Sequence, residues 1–339
     1  MKIACAVLAL VLSAAPAFAQ NVKITPIGSH PGELCANDRA IIFEDPTGVR
    51  FLYDPAHNVT GGDDPRLGTI HMVLLSHMHG DHVGDLKLKA PGAGSCANSE
   101  RVPAPNSTTA EVVAAKNAAM VMTRAIGGFV GNKVLAIRGG GKPIGFCPQA
   151  AGATTVPVAA VCASQTDLGG VFVAKTADAP RGVEISIVYA SHVNNVPPAL
   201  LSEAQRAQLK ADGAILEYGP ATGFVVKFTN GLTVYLTGDT GIHSEMKTVV
   251  HDFHKANLAV RNLGNNPGIF LSGEYVINEL VKPASVILTH PNEPVTEGGA
   301  PRAASRTAAL MKRLKPASHL AISERTMEFD GKGKCVAGC

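Results

Sequence analysis

The chain has 339 residues, with 30 Lys plus Arg against 27 Asp plus Glu, a formal net charge of +3, 46% hydrophobic residues and 17% charged ones. These proportions belong to globular chains and exclude the disordered and fibrous classes. So small a charge, with no basic run longer than two residues, excludes an electrostatic footprint for nucleic acid, while the 12 histidines ask where they are gathered.

Met1-Lys2 supplies a basic start, the neighbourhood of Ala4 to Val11 is apolar, and Ala17-Phe18-Ala19 offers a small-x-small cleavage pattern. Residues 1–19 therefore read as a signal peptide, since an apolar run of about twelve residues is too short to span a bilayer. The mature chain is expected to be periplasmic or secreted and to lack a membrane span. Cys5 leaves with the signal, and Cys35, Cys96, Cys147, Cys162, Cys335 and Cys339 remain. An even number in an oxidising compartment predicts up to three disulfides, whose pairing spacing does not decide.

Short β-type runs follow at Val22 to Ile27, Ala40 to Glu44 and Val49 to Tyr53, the last two joined across Asp45-Pro46-Thr47-Gly48. Met72 to Leu75 is a buried-type strand. Residues 90–180 are rich in Gly, Ala and Pro and contain a helix pattern over Thr108 to Arg124, capped by Ser107 or Thr108. Strand patterns resume at Glu184 to Tyr189, Phe224 to Phe228, Leu232 to Leu236, Asn257 to Val260 and Ser285 to Leu288. Helix patterns alternate with them near Ser202 to Lys210, Ser244 to Phe253, Gly273 to Leu280 and Pro301 to Leu314. Strands first, then strands alternating with helices, predict layered sheets with helices outside, in a single domain over 20–339 with an insertion at about 90–180.

The chemistry concentrates where the fourth strand ends, at Ser76-His77-Met78-His79-Gly80-Asp81-His82. Imidazole and carboxylate are the ligands of zinc and similar first-row metals, and Gly80 permits a tight turn that aims them inward. One loop cannot complete two metal sites. His192, Asp239 and His290, each just after an apolar β-run, are the candidates to complete them.

The pattern H-x-H-x-D-H, filled by His77, His79, Asp81 and His82, resembles that of metallo-β-lactamase-fold hydrolases. Gly238-Asp239-Thr240-Gly241 and the stretch from Lys282-Pro283 to Thr289-His290 are similar to the branch of ascorbate-6-phosphate lactonase and uncharacterised metal-dependent hydrolases. The resemblance implies a four-layer αββα sandwich of mixed α and β structure, with the metal site at one edge of its two sheets. It implies that His192 joins His77 and His79 at one divalent ion, that His290 joins Asp81 and His82 at a second, and that Asp239 bridges both. Asp54, in Phe51-Leu52-Tyr53-Asp54-Pro55, would then orient a ligand from behind. Residues 90–180 match nothing in the family, which leaves the substrate open.

Two divalent ions, zinc before manganese or iron, imply a bound hydroxide that attacks an ester, lactone, amide or phosphoester carried by a small-molecule substrate, with Asp81 or Asp239 passing the proton on. A β-lactamase and a non-catalytic metal-binding protein are the alternatives. A di-iron redox protein of this fold would carry a carboxylate where His82 stands. Asn194 and Asn195 are expected either to donate to a substrate oxyanion or to cap their loop. His243, His251 and His254 read as surface-helix residues, and Gly139-Gly140-Gly141-Lys142 as a turn, lacking the Ser or Thr of a phosphate loop.

Overall fold

The computed structural model describes residues 21–264 and 267–339. The expected signal peptide and Cys5 lie outside the described residues.

Two sheets carry the fold. The first is built from Val22–Ile27 (β1), Ala40–Glu44 (β2), Arg50–Tyr53 (β3), Met72–Leu74 (β4) and Ala119–Val121 (β5). The second runs through Thr154–Thr155 (β6), Val171–Lys175 (β7), Val183–Tyr189 (β8), Thr222–Lys227 (β9), Thr233–Leu236 (β10), Leu258–Asn262 (β11), Ser285–Thr289 (β12) and Ala317–Leu320 (β13). Met327–Phe329 (β14) and Cys335–Ala337 (β15) return to the first sheet, whose order is β15-β14-β1-β2-β3-β4-β5, while the second keeps chain order.

Side-chain alternation explains the layering. Ile41 and Phe43, Phe51 and Tyr53, and Met72 and Leu74 point into the core between the sheets, whereas Ile42, Leu52 and Val73 point the other way. Between the sheets, Phe43 and Phe51 stack at 4.9 Å and both lie near Phe228, at 6.2 and 6.0 Å. On the outer face of the first sheet pack Thr108–Lys116 (α2) and Arg124–Ile137 (α3) through Val112, Val113, Ile126 and Val130; α1 is the short motif helix described below. Glu203–Asp212 (α4) exposes most of its surface. Met246–Phe253 (α5), the continuous Pro267–Tyr275 and Val276–Val281 (α6) and Arg306–Met311 (α7) contribute Met246, Val250, Val276, Ile277 and Leu310 to the core that includes the second sheet. The arrangement is an αββα sandwich.

The sequence pattern runs a helix through to Arg124, but α2 stops at Asn117, whose left-handed backbone (φ 51°) caps it. The next residues pair in parallel with β4, Met72 opposite Ala119, so sheet pairing overrides local helix preference. Residues 90–180, expected as an insertion, supply β5 to the first sheet and β6 and β7 to the second. The six cysteines pair as Cys35–Cys96, Cys147–Cys162 and Cys335–Cys339. Among the described residues no helix is long and apolar enough to cross a membrane.

Candidate metal centre

Strand direction gathers the site. β3 and β4 are parallel, as are β10, β11 and β12, and β8 runs with them because it reaches β10 through two antiparallel pairings. The ends of β3, β4, β8, β10 and β12 deliver Asp54, His77, His192, Asp239 and His290 to one edge. His79 starts the single-turn helix Gly80–Val83 (α1), which places Asp81 and His82 beside them; it closes on Gly84 in the left-handed region.

His77, His79 and His192 form one group and Asp81, His82 and His290 another, while Asp239 lies with His77 and His82; within each group the donor atoms are within 4.8 Å. His192 Nε2 is 3.2 Å from His79 Nδ1. Asp239 spans the two groups, with Oδ1 3.5 Å from His82 Nε2 and Oδ2 3.5 Å from His290 Nε2 and 3.9 Å from His192 Nε2. All seven ligand-type residues of the motif reading are therefore together.

The partners behind them settle which imidazole nitrogens face inward. Asp54 is fully buried and accepts the Ser76 N–H, the Ser76 hydroxyl and His82 Nδ1–H, each at 2.8 Å. Since the Ser76 hydroxyl donates to Asp54, its oxygen is free to accept His77 Nδ1–H at 3.0 Å. Both histidines then turn Nε2 forward, and in the neutral form each offers a lone pair there. Asn195 Oδ1 accepts His79 Nε2–H at 2.7 Å, which turns His79 Nδ1 toward His192. Asn262 donates to Asp239 Oδ1 at 3.1 Å.

Charge is arranged to match. Burial pushes His77 well below the usual imidazole range, reinforced by His82, and burial also lowers His192. For Asp239 burial acts upward, yet the charges of His290 and His82 outweigh it and hold the carboxyl well below its ordinary range. Asp81 likewise stays ionised against its burial because Arg39, itself 1% exposed, reaches it at 2.7 Å. Burial and Arg39 lower His82, but Asp239 and Asp54 prevail and raise it to about 9 in the metal-free protein.

Two backbone features are bound up with these positions. Gly238 has φ 58°, and a Cβ there would lie 2.7 Å from the Thr222 carbonyl, so only glycine delivers Asp239 along this path. His290 has φ 55° without being glycine, and its N–H is held by the Asp38 carbonyl at 2.7 Å. Such strain gathers at functional sites.

Asn194 is buried and committed to the protein: Oδ1 accepts the Met78 N–H, and Nδ2 donates to the carbonyls of Tyr218 and Gly219 at 3.0 Å. Of the two roles weighed for it, its contacts are those of loop bracing. Arg39 and Asn262 carry no local signal, whereas Ser76 has one in its place between the strand and His77.

A metal fits this constellation on its own evidence. His77 Nε2, His82 Nε2 and His290 Nε2 are buried and find no hydrogen-bond partner among the described residues, an expensive condition that a cation relieves.

No protein-family model matches the chain. It is 28% identical over 101 residues to a UPF0173 metal-dependent hydrolase of Methanosphaera stadtmanae, covering 30% of this chain and 43% of that protein. It is 33% identical over 82 residues to one of Staphylococcus epidermidis, covering 24% and 35%. The chain thus spans less than half the length of these relatives. A metallo hydrolase of Ignicoccus hospitalis superimposes over 91% of this chain and 99% of its own, at 17% identity and a TM-score of 0.56. Two facing sheets with outer helices, with the filled H-x-H-x-D-H motif at their shared edge, give this chain the metallo-β-lactamase fold.

Proposed function

We propose that the chain is an exported hydrolase working with two divalent ions, zinc by preference, on an ester, lactone, amide or phosphoester. The observation that carries the reading is the set of three buried Nε2 atoms, of His77, His82 and His290, that converge without a hydrogen-bond partner, the first two backed by Ser76 and Asp54. A His and carboxylate donor set suits zinc, and three disulfides suit an oxidising compartment. The curated relatives, described as metal-dependent hydrolases, agree with hydrolysis.

In this reading His77, His79 and His192 would hold one ion and Asp81, His82 and His290 the other, with Asp239 within reach of both groups. When bound, the ions supply Lewis-acid activation of a water and of the oxygen of the scissile group. The chain's own residues do the rest. Asp54 and Ser76 fix the tautomers of His82 and His77, and Asn195 fixes that of His79. Arg39 keeps Asp81 ionised, and Asp81 is partly exposed where Asp239 is nearly buried. Asp81 is thus the carboxylate better placed to pass a proton outward.

The test is purified mature protein loaded with zinc or manganese, its metal content measured, and its turnover read on chromogenic lactones, esters, phosphodiesters and a cephalosporin. His79→Ala should abolish turnover and lower bound metal while the circular-dichroism spectrum stays the same; undiminished turnover in that variant refutes the proposal. Metal binding by wild type without turnover on any of the panel would favour the non-catalytic alternative.

A further inference from the structure

The three disulfides differ in what they join. Cys35–Cys96 straps positions 61 residues apart and Cys147–Cys162 positions 15 apart, whereas Cys335 and Cys339 stand only 4 apart near the end of the chain. So short a loop takes little freedom from the unfolded chain. Cys147 and Cys162 are buried, as is Cys35, while Cys339 is exposed. Cys335–Cys339 is therefore the bond that a reductant in solution reaches first.

A third donor stands beside these sulfurs. His319 lies in β13, the last strand of the second sheet, and Cys335 opens β15, the last strand of the first. One ring nitrogen of His319 and the two Sγ atoms all lie within 4.8 Å of one another. The Ala337 carbonyl oxygen is 3.3 Å from Cys335 Sγ and 3.4 Å from Cys339 Sγ, so both sulfurs turn to the same point. Gly338, at φ 76°, makes the bend between them and packs so closely on the Thr326 carbonyl that a Cβ would not fit.

His319 has no other task among its contacts. Its ring meets Phe329 of β14 edge-on, with centroids 5.7 Å apart, which carries it from the second sheet to the first. Its Nε2 is buried and finds no hydrogen-bond partner among the described residues, a condition that packing against Phe329 does not relieve. Burial lowers its proton affinity, so the ring is neutral at pH 7 and keeps a lone pair for a cation. None of the three residues belongs to the centre around His77 and His290.

Two thiolates and a neutral imidazole are donors for zinc and other thiophilic cations, with a water left to complete the tetrahedron. We propose that His319, Cys335 and Cys339 form a separate, redox-gated metal site that takes one zinc ion when the Cys335–Cys339 bond is open. Opening requires a dithiol. Its own S–S bond forms as the Cys335–Cys339 bond breaks, its two protons pass to the cysteine sulfurs, and zinc displaces them to solvent. The two states hold different things together. The disulfide ties the tail to itself, whereas zinc ties the last strand of one sheet to the last strand of the other, a clasp across the edge of the sandwich. The proposal is independent of the hydrolase reading, since it uses no residue of that centre.

The experiment treats the mature chain with dithiothreitol until two thiols per chain react with a thiol reagent, removes the reductant without oxygen, and titrates with cobalt(II). Cobalt stands in for zinc and gives a sulfur-to-cobalt charge-transfer band in the near ultraviolet. Nitrogen and oxygen donors give no such band, so cobalt at the His77 to His290 centre does not register. The expected result is a band that appears only after reduction, saturates in a single step and disappears when zinc is added. Cys335→Ser with Cys339→Ser, treated identically, should show no band. His319→Phe keeps a ring on Phe329 and loses both nitrogens; it should bind the reporting cobalt at least about tenfold more weakly, since losing even a supporting residue costs that much. Absence of the band in the reduced wild type overturns the proposal. So does a band that survives in the double serine variant, or a His319→Phe protein that binds cobalt as tightly as wild type.

Discussion

Replacing Asp54 with Asn keeps the shape of the side chain and reverses one of its functions. The carboxylate accepts from Ser76 N–H through Oδ1 and from both the Ser76 hydroxyl and His82 Nδ1 through Oδ2. If the amide oxygen stays on the Ser76 N–H, the new NH2 faces His82 Nδ1, which must then accept. The His82 proton moves to Nε2, the nitrogen that faces Asp239 and His290, and the lone pair for a cation is lost there. Loss of such a supporting partner costs about 10- to 100-fold in metal affinity, or about 1.4–2.7 kcal/mol. The effect should fall on the Asp81, His82 and His290 group more than on His77, His79 and His192, although His77 shares Ser76 with it. Competition against a chelator of known affinity, followed to two equivalents of zinc, resolves the two steps. Two unchanged zinc affinities in a folded Asp54→Asn protein would refute the tautomer argument, and with it the chain from Asp54 through Ser76 to the two histidines.

Reducing the Cys35–Cys96 bond, or Cys35→Ser with Cys96→Ser, opens a 61-residue loop, worth about 4 kcal/mol in the chain-entropy model against about 3 for the 15 residues between Cys147 and Cys162. The double variant should lose roughly 8 °C in its calorimetric midpoint, and an unchanged midpoint counts against the strap. Metal-free protein should lose stability as pH rises from 6.5 through about 9, because His82 binds its proton more tightly folded than unfolded. The gain is fully present below pH 6.5, amounts to about 3 kcal/mol at most, and should vanish in denaturant titrations of the zinc-loaded protein, where His82 is neutral.

Much of the fold was legible because its strands are strongly patterned. β1, β2 and β12 fall within a residue of the apolar runs that announce them, since each is buried on both faces or alternates cleanly. What escaped was structure decided at a distance. β5 is three residues long and exists because β4 offers an edge to pair with. Arg124–Ile137 holds three glycines, which mute its helix signal, and forms because Ile126, Phe129 and Val130 cover the outer face of the first sheet. The stretch 90–180 is Gly-, Ala- and Pro-rich and matches nothing in the family, and composition says nothing about which sheet its short strands join.

The site divides along the same line. Residues that face a candidate ion announce themselves by type and spacing, because the chemistry tolerates few alternatives at those positions. Residues that act on those residues do not. Asp81 is ionised because of Arg39, 42 positions away, and His79 is turned by Asn195, 116 positions away. A cation for the first purpose, or an amide oxygen for the second, could reach the right point in space from many places in the chain, so neither position demands a local pattern.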